Sequence, residues 1–255
     1  MPGKKDVETF YDRISGDYAD HDERVCDAIL EHFIRTHLPA HQDLEILDAG
    51  GGTGRFALPL LRRNMRVVLT DISEGMLARA KERLDGMSAV SFLQESVTDM
   101  THQKDGSFDA VLMMNAIHDY CGDYAKAISE AYRVLRKGGV FIGNVNNRFA
   151  YCTKHELKDG NYRRFEQNMK TGDRYIVWGN QDKGHISHEF TLDELKEALE
   201  SFDEVKILGV FNLMDKYEHD SIVDKDAFIR LQIAFAEKSE YINCSQDFFF
   251  VAKKS

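Results

Sequence analysis

Leu47-Asp48-Ala49-Gly50-Gly51-Gly52-Thr53-Gly54, with Asp71 closing the next hydrophobic run, is the stretch whose reading decides the fold. Hydrophobic run, glycine turn, helix, hydrophobic run and acid follow one another, as in an α/β sheet that holds an adenosine-containing cofactor. Glycine lets the backbone turn through conformations barred to other residues and lets a ligand lie on the main chain. Asp71 falls 21 residues after Gly50, where a ribose-binding carboxylate is expected. The spacing also discriminates between cofactors. A dinucleotide turn is written G-x-G-x-x-G and needs its third glycine at 55, but the glycines stand at 50, 52 and 54 and position 55 is Arg. A pyrophosphate on the helix N-terminus is disfavoured, and a cofactor without phosphate is favoured.

Working outward, strand and helix patterns alternate from residue 44 to about 146, which predicts a mostly parallel sheet with helices on both faces. Leu44 to Ala49, Met65 to Thr70, Val90 to Leu93, Phe108 to Met114 and Val140 to Val145 read as its strands. Ser73 is expected to cap the helix whose apolar stripe is Met76, Leu77, Ala80 and Leu84. Tyr124, Ala127, Ile128, Ala131, Val134 and Leu135 form the stripe of a later helix, expected to end in Arg136-Lys137-Gly138 with two cations and a capping glycine. From Arg148 to His188 the pattern breaks. This segment is polar and aromatic, with eight Lys/Arg against five Asp/Glu, a local excess of +3. Thr191 and Glu194 then form a capping box, and Val205 to Phe211 and Phe248 to Ala252 read as the last two strands.

The bulk numbers bound the function. A chain of 255 residues can bury one sizeable core with decoration. A net charge of −10 is a poor match for nucleic acid, which calls for excess Lys and Arg. No apolar run reaches the roughly 20 residues of a membrane helix, and the polar start Met-Pro-Gly-Lys-Lys-Asp shows no signal peptide. The four cysteines, at 26, 121, 152 and 244, make no metal or disulfide pattern. The expectation is a soluble cytoplasmic protein, monomer or homodimer, without bound metal, membrane or nucleic-acid partner.

Five motifs in order make the chain similar to the class I S-adenosylmethionine-dependent methyltransferases of small molecules. Leu47 to Gly54 resembles the family's glycine-rich motif, and Leu69-Thr70-Asp71-Ile72-Ser73-Glu74-Gly75-Met76-Leu77 its second. Gly106-Ser107-Phe108-Asp109-Ala110-Val111 resembles the entry to strand four, and Glu130 to Gly139 the turn into strand five. Phe10-Tyr11-Asp12 with Tyr18 looks like the N-terminal helix that closes over the cofactor. The resemblance implies a Rossmann-like α/β fold: a seven-stranded sheet, mostly parallel with the last strand antiparallel. Its parts would be an N-terminal helical cap (1–40), a cofactor-binding domain (41–147 and 189–255) and an inserted substrate lid (148–188).

Residue by residue, the resemblance implies that Gly50 and Gly52 pass under the methionine part of S-adenosylmethionine and that Asp48 helps hold its ammonium. Asp71 would accept both ribose hydroxyls, and Ile72 would pack on the adenine. Ser96-Val97 would meet the adenine edge; where the family often has an acid, either Ser96 Oγ or Glu95 would take the amino group. Asn115 would meet the methionine end, and Tyr11 and Tyr18 would cover the cofactor. From the residues themselves, His118 follows strand four at its carboxyl edge and could take a proton from an acceptor. His185 and His188 lie in a strand-like segment and are expected to share a face. The charge and aromatics of 148–188 suggest an aromatic or acidic small-molecule acceptor. Two rivals stand beside this reading: a nicotinamide-dependent reductase, which the glycine spacing opposes, and a non-catalytic cofactor-binding or scaffold protein.

Overall fold

The computed structural model describes residues 4–18, 24–41, 43–117, 123–176, 184–211 and 222–255. Its strands in chain order are β1 (Glu45–Ala49), β2 (Arg66–Asp71), β3 (Val90–Gln94), β4 (Phe108–Met114), β5 (Leu135–Asn146), β6 (Asp173–Ile176), β7 (His185–His188), β8 (Glu204–Val210) and β9 (Asp247–Lys253). Seven of them form one sheet in the order β3-β2-β1-β4-β5-β9-β8. The first five are mutually parallel, and β9 runs antiparallel to both β5 and β8. This is the Rossmann-like α/β arrangement with an antiparallel last strand that the motifs imply. The order reverses between β1 and β4, and ligands of open sheets bind in the crevice at such a reversal.

The sheet is buried on both faces, which explains its continuous apolar strands. In β4, Ala110, Leu112 and Met114 face one core while Val111 and Met113 face the other, as a period of two requires. The first core takes α2 (Arg24–His37), whose Val25, Ile29, Phe33 and Ile34 pack with Leu60, Leu77 and Phe249. The second takes α5 (Tyr124–Val134) through Ala127, Ile128, Ala131 and Val134, against Val111, Phe141 and Phe250. Between β1 and β2 stands the short α3 (Ala57–Leu61). The N-terminal α1 (Lys4–Tyr18) makes a small separate cluster, Phe10 and Ile14 on Met76 of α4 (Glu74–Arg83). The two helices approach closely at Gly75, where a Cβ would stand 2.7 Å from Ser15 Oγ.

Two local expectations meet different outcomes. Ser73 caps α4 as its position suggests, its side chain accepting from the Met76 N–H. The end of α5 is not built by Arg136-Lys137-Gly138: Leu135 is already extended and pairs with Phe108, so those residues belong to β5. The cation at that helix end is instead Lys254, whose Nζ donates to the carbonyls of Tyr132 and Leu135 at 2.7 and 2.8 Å. Tertiary structure delivers from the far end of the chain what local sequence offered in place.

The described parts of the segment 148–188, residues 148–176 and 184–188, are built largely from polar contacts and caps. They contain α6 (Arg148–Cys152), a π-helical turn (Thr153–Leu157), α7 (Tyr162–Thr171) and the β6–β7 hairpin. Asn161 caps α7 at its start and Gly172, with φ +79°, closes it. Beyond it lie α8 (Leu192–Ala198), which begins with the Thr191–Glu194 capping box, α9 (Lys225–Phe235) and α10 (Ser239–Cys244). Among the described residues no helix is long and apolar enough to cross a membrane.

Candidate functional site

The carboxyl ends of β1, β2 and β4 deliver the residues singled out in the sequence to one edge of the sheet. Asp48 lies near the end of β1, and the chain then turns with φ +69° at Gly50 and +54° at Gly52. A Cβ on Gly50 would strike Ala116, whereas one on Gly52 would meet nothing within 4 Å. Gly52 therefore borders open space in a conformation unfavourable for a side chain, the surface a ligand needs to lie on the backbone. The turn is tied to β2, Gly51 N–H donating to Thr70 O at 2.9 Å.

Asp71 ends β2 beside this turn. Its Oδ2 accepts from Gly52 N–H and its Oδ1 from Ser73 N–H, both at 2.9 Å. Burial pushes its carboxyl up to about 6, against the pull of those N–H groups and with a further push from Asp12. Asp48 is more extreme: it is 1 % exposed and its Oδ2 has no hydrogen-bond partner. Burial and the neighbouring Asp71 raise it to about 7, with Arg55 opposing. A buried carboxylate oxygen without a donor is costly. Here it sits beneath a glycine turn, and an ammonium group would satisfy it.

Asp12 of α1, quoted in the sequence only as part of a motif, joins this site. Its Oδ1 accepts from Ser73 Oγ at 2.5 Å and from Gly75 N–H at 3.1 Å. Ile72, beside Asp71, is buried, and Val97 touches the glycine turn, 3.4 Å from where a Gly50 Cβ would stand. Ser96 Oγ is paired with Thr98 Oγ1 at 2.9 Å. The Glu95 carboxylate holds the following loop, accepting from His102 N–H at 3.0 Å and Gln103 Nε2 at 2.8 Å. Asn115, with φ +56°, exchanges two hydrogen bonds with Asn144 of β5. The signal for Asn144 is a single amide in the otherwise apolar or glycine run Val140–Val145.

Above this edge the insert meets the N-terminal helix. The His185 ring lies tilted against Phe10 at 4.5 Å and Tyr11 at 5.8 Å, centroid to centroid. His188 does not share that face, because residues three apart in a strand point opposite ways. It is buried on the other side of the hairpin, 2.9 Å from both Asp173 and Glu194 and stacked on Tyr124. Burial pulls its charged form down, but hydrogen bonds to the two carboxylates outweigh this and leave its pKa raised. Arg148 joins the cluster through Glu194 and the Glu189 carbonyl. Among the described residues no group of His, Cys, Asp or Glu is arranged to hold a metal. His118, Cys121, Trp178 and the side chain of Tyr18 lie outside the described residues.

Residues 47–143 match a family model described as a methyltransferase domain. Over 113 residues the chain is 34% identical to 2-methyl-6-phytyl-1,4-hydroquinone methyltransferase 1, chloroplastic, of Oryza sativa subsp. japonica, covering 43% of this chain. It spans about a third of that relative, 33% of its length. A longer match, 22% identical over 216 residues, covers 84% of this chain and 81% of the tRNA 5-carboxymethoxyuridine methyltransferase of Escherichia coli K12. Among solved structures, a S-adenosylmethionine-dependent methyltransferase of Thermotoga maritima, described as a possible histamine N-methyltransferase, superposes with a TM-score of 0.64 at 20% identity. That match covers 98% of this chain and 100% of the other, and at such identity it speaks for the fold.

Proposed function

We propose, from the premise that this chain belongs to the class I S-adenosylmethionine-dependent methyltransferases, that it moves a methyl group to an O, N or C atom of a small molecule. The observation that carries this reading is the partnerless, buried Asp48 oxygen beside an open Gly52 and a backbone-pinned Asp71. Asp48 would receive the cofactor's ammonium, Gly50 and Gly52 its methionine chain, and Asp71 its ribose diol. Ile72, Ser96 and Val97 would border the adenine, Asn115 the methionine end, and Tyr11 with Tyr18 would cover the whole. Ser96 Oγ is engaged with Thr98 and the Glu95 carboxylate with His102 and Gln103, so either would share its oxygen to take the adenine amino group.

When bound, the cofactor supplies a methyl group already activated by its sulfonium charge. The protein then has to align the acceptor within about 3–3.5 Å and exclude water. A base is needed only where the acceptor must lose a proton, and His118 is the residue we assign to that step. The segment 148–188 is read as the lid over the acceptor, α1 as the cap over the cofactor, and 41–147 with 189–255 as the cofactor-binding domain. The acceptor class is argued from charge: the insert carries +3 within a chain of −10, which favours a compact acidic or aromatic molecule over a nucleic-acid backbone.

Calorimetry with S-adenosylhomocysteine and, separately, NAD tests the cofactor; binding of NAD alone would return the reductase reading. Transfer of labelled methyl into fractionated small molecules, and in parallel into total tRNA, tests the acceptor. Label in tRNA alone overturns the small-molecule proposal, and binding without transfer to any fraction favours the non-catalytic reading.

A further inference from the structure

We infer that Asn144 is a positioning residue for the donor end of the cofactor, holding the Asn115 turn against the glycine loop; the inference rests on the S-adenosylmethionine reading of the site. Asn144 is 0 % exposed near the carboxyl end of β5. A buried amide is costly unless it is hydrogen-bonded, and this one is used in full. Its Oδ1 accepts from the Asn115 N–H at 2.9 Å, and its Nδ2 donates to Asn115 Oδ1 at 2.6 Å. A longer bond of 3.3 Å runs from Nδ2 to Asp247 Oδ2, and Tyr151 donates to the other oxygen of that carboxylate at 3.3 Å.

The reciprocal pair spans the gap between β4 and β5 just where β4 ends. Asn115 there has φ +56°, in the left-handed region that a residue with a side chain enters only at a cost. What the bend accomplishes is visible on its far side. Ala116 is laid against the cofactor turn, its Cβ 2.8 Å from where a Cβ on Gly50 would stand. Asn144 thus fixes a strained residue whose neighbour forms the wall behind Gly50. Because Asn115 Oδ1 is engaged by Asn144, Asn115 acts on the cofactor through its backbone bend. In the cofactor reading the adenosine half is held chiefly by Asp71 at the end of β2, which meets this wall only indirectly, through the glycine turn.

That division gives a selective test, using the full chain with S-adenosylhomocysteine and with adenosine, which lacks the methionine half. Asn144→Ala is expected to weaken S-adenosylhomocysteine about tenfold, on the scale of one buried hydrogen bond with its stranded partner. Adenosine should stay within about twofold, a split that general loss of structure would not produce. Equal weakening of both ligands, or no weakening of either, overturns the role of Asn144. A second pair covers the case in which Asn144→Ala does not fold. Asn115→Gly removes the side chain but enters φ +56° freely and should weaken S-adenosylhomocysteine less than Asn115→Ala, which must bring a Cβ into that region and should lose about fivefold more. Equal behaviour of those two variants also overturns the inference. A wild-type chain that binds neither ligand is a different result, and it removes the cofactor reading on which the inference stands.

Discussion

The two oxygens of a carboxylate offer about four lone-pair sites, and at Asp71 the backbone N–H groups of Gly52 and Ser73, with Ile72 beside them, do not fill them all. In the proposed site the remaining capacity would accept the ribose diol. Asp71→Ala is therefore expected to weaken S-adenosylhomocysteine by about 1.5–3 kcal/mol, the value of hydrogen bonds to a charged group; unchanged affinity in calorimetry would refute the ribose assignment. Asp48 makes a prediction in pH. Its folded value, about 7, lies above its ordinary 3.8, so the stability it contributes is complete below 3.8 and lost as pH rises through about 7. Denaturation of the cofactor-free chain should show wild type losing stability relative to Asp48→Asn across that window. Cofactor affinity should move the opposite way, strengthening with pH as Asp48 becomes an anion for the ammonium. A flat difference between wild type and variant would contradict the burial argument. Asp48, Gly50, Gly52 and Asp71 are legible in sequence because their chemistry is local, a turn and an acid at fixed spacing. Asp12 and Asn144 are not, because each gains its role from an element distant in the chain.

At the scale of elements, the insert is fastened to the main domain by charge. His188 donates to Asp173 of β6 and to Glu194 of α8, and Glu194 in turn pairs with Arg148 of α6. Gly172 is fitted against this cluster: a Cβ there would come within 2.7 Å of the His188 ring. Both imidazole nitrogens face carboxylates, so the arrangement holds best with His188 protonated. Its folded pKa is raised above 6.5, and the stabilisation is present below 6.5 and lost as pH rises through that higher value. The groups facing it are Asp173, Glu194, Arg148 and Tyr124. His188→Gln should loosen the insert by about 1–3 kcal/mol, seen as faster tryptic cleavage within 148–176 at mildly acidic pH. Cleavage no faster than in wild type would remove the fastening role. α7 carries only a thin apolar stripe, Tyr162, Phe165 and Met169, and the residue it buries is the polar Asn168. Asn161 and Gly172 cap it in the structure, and the ion pairs that His188 and Arg148 make with Glu194 of α8 join residues of separate elements, which sequence does not announce.

The whole molecule sets a strand order that sequence periodicity alone does not give. The alternation of strands and helices announces a parallel sheet, yet nothing local says that β9 slides between β5 and β8. Its run Phe248-Phe249-Phe250-Val251 is apolar on both faces because it is an interior strand. Binding to the folded state alone stabilises it by mass action. S-adenosylhomocysteine should accordingly raise the melting temperature in a concentration-dependent way while NAD leaves it in place; the reverse pattern would return the dinucleotide reading. Ser73 extends that linkage to the edge of the molecule. Its N–H steadies Asp71 while its hydroxyl binds Asp12, so the proposed ribose carboxylate and the docking of α1 share one residue. Coupling of this kind is reciprocal: whatever occupancy contributes to closing α1, closure contributes equally to retention of the ligand. The N-terminal helix is then expected to report occupancy, its amide protons over residues 7–16 exchanging more slowly in the saturated protein, with ligand escape slowed until it releases.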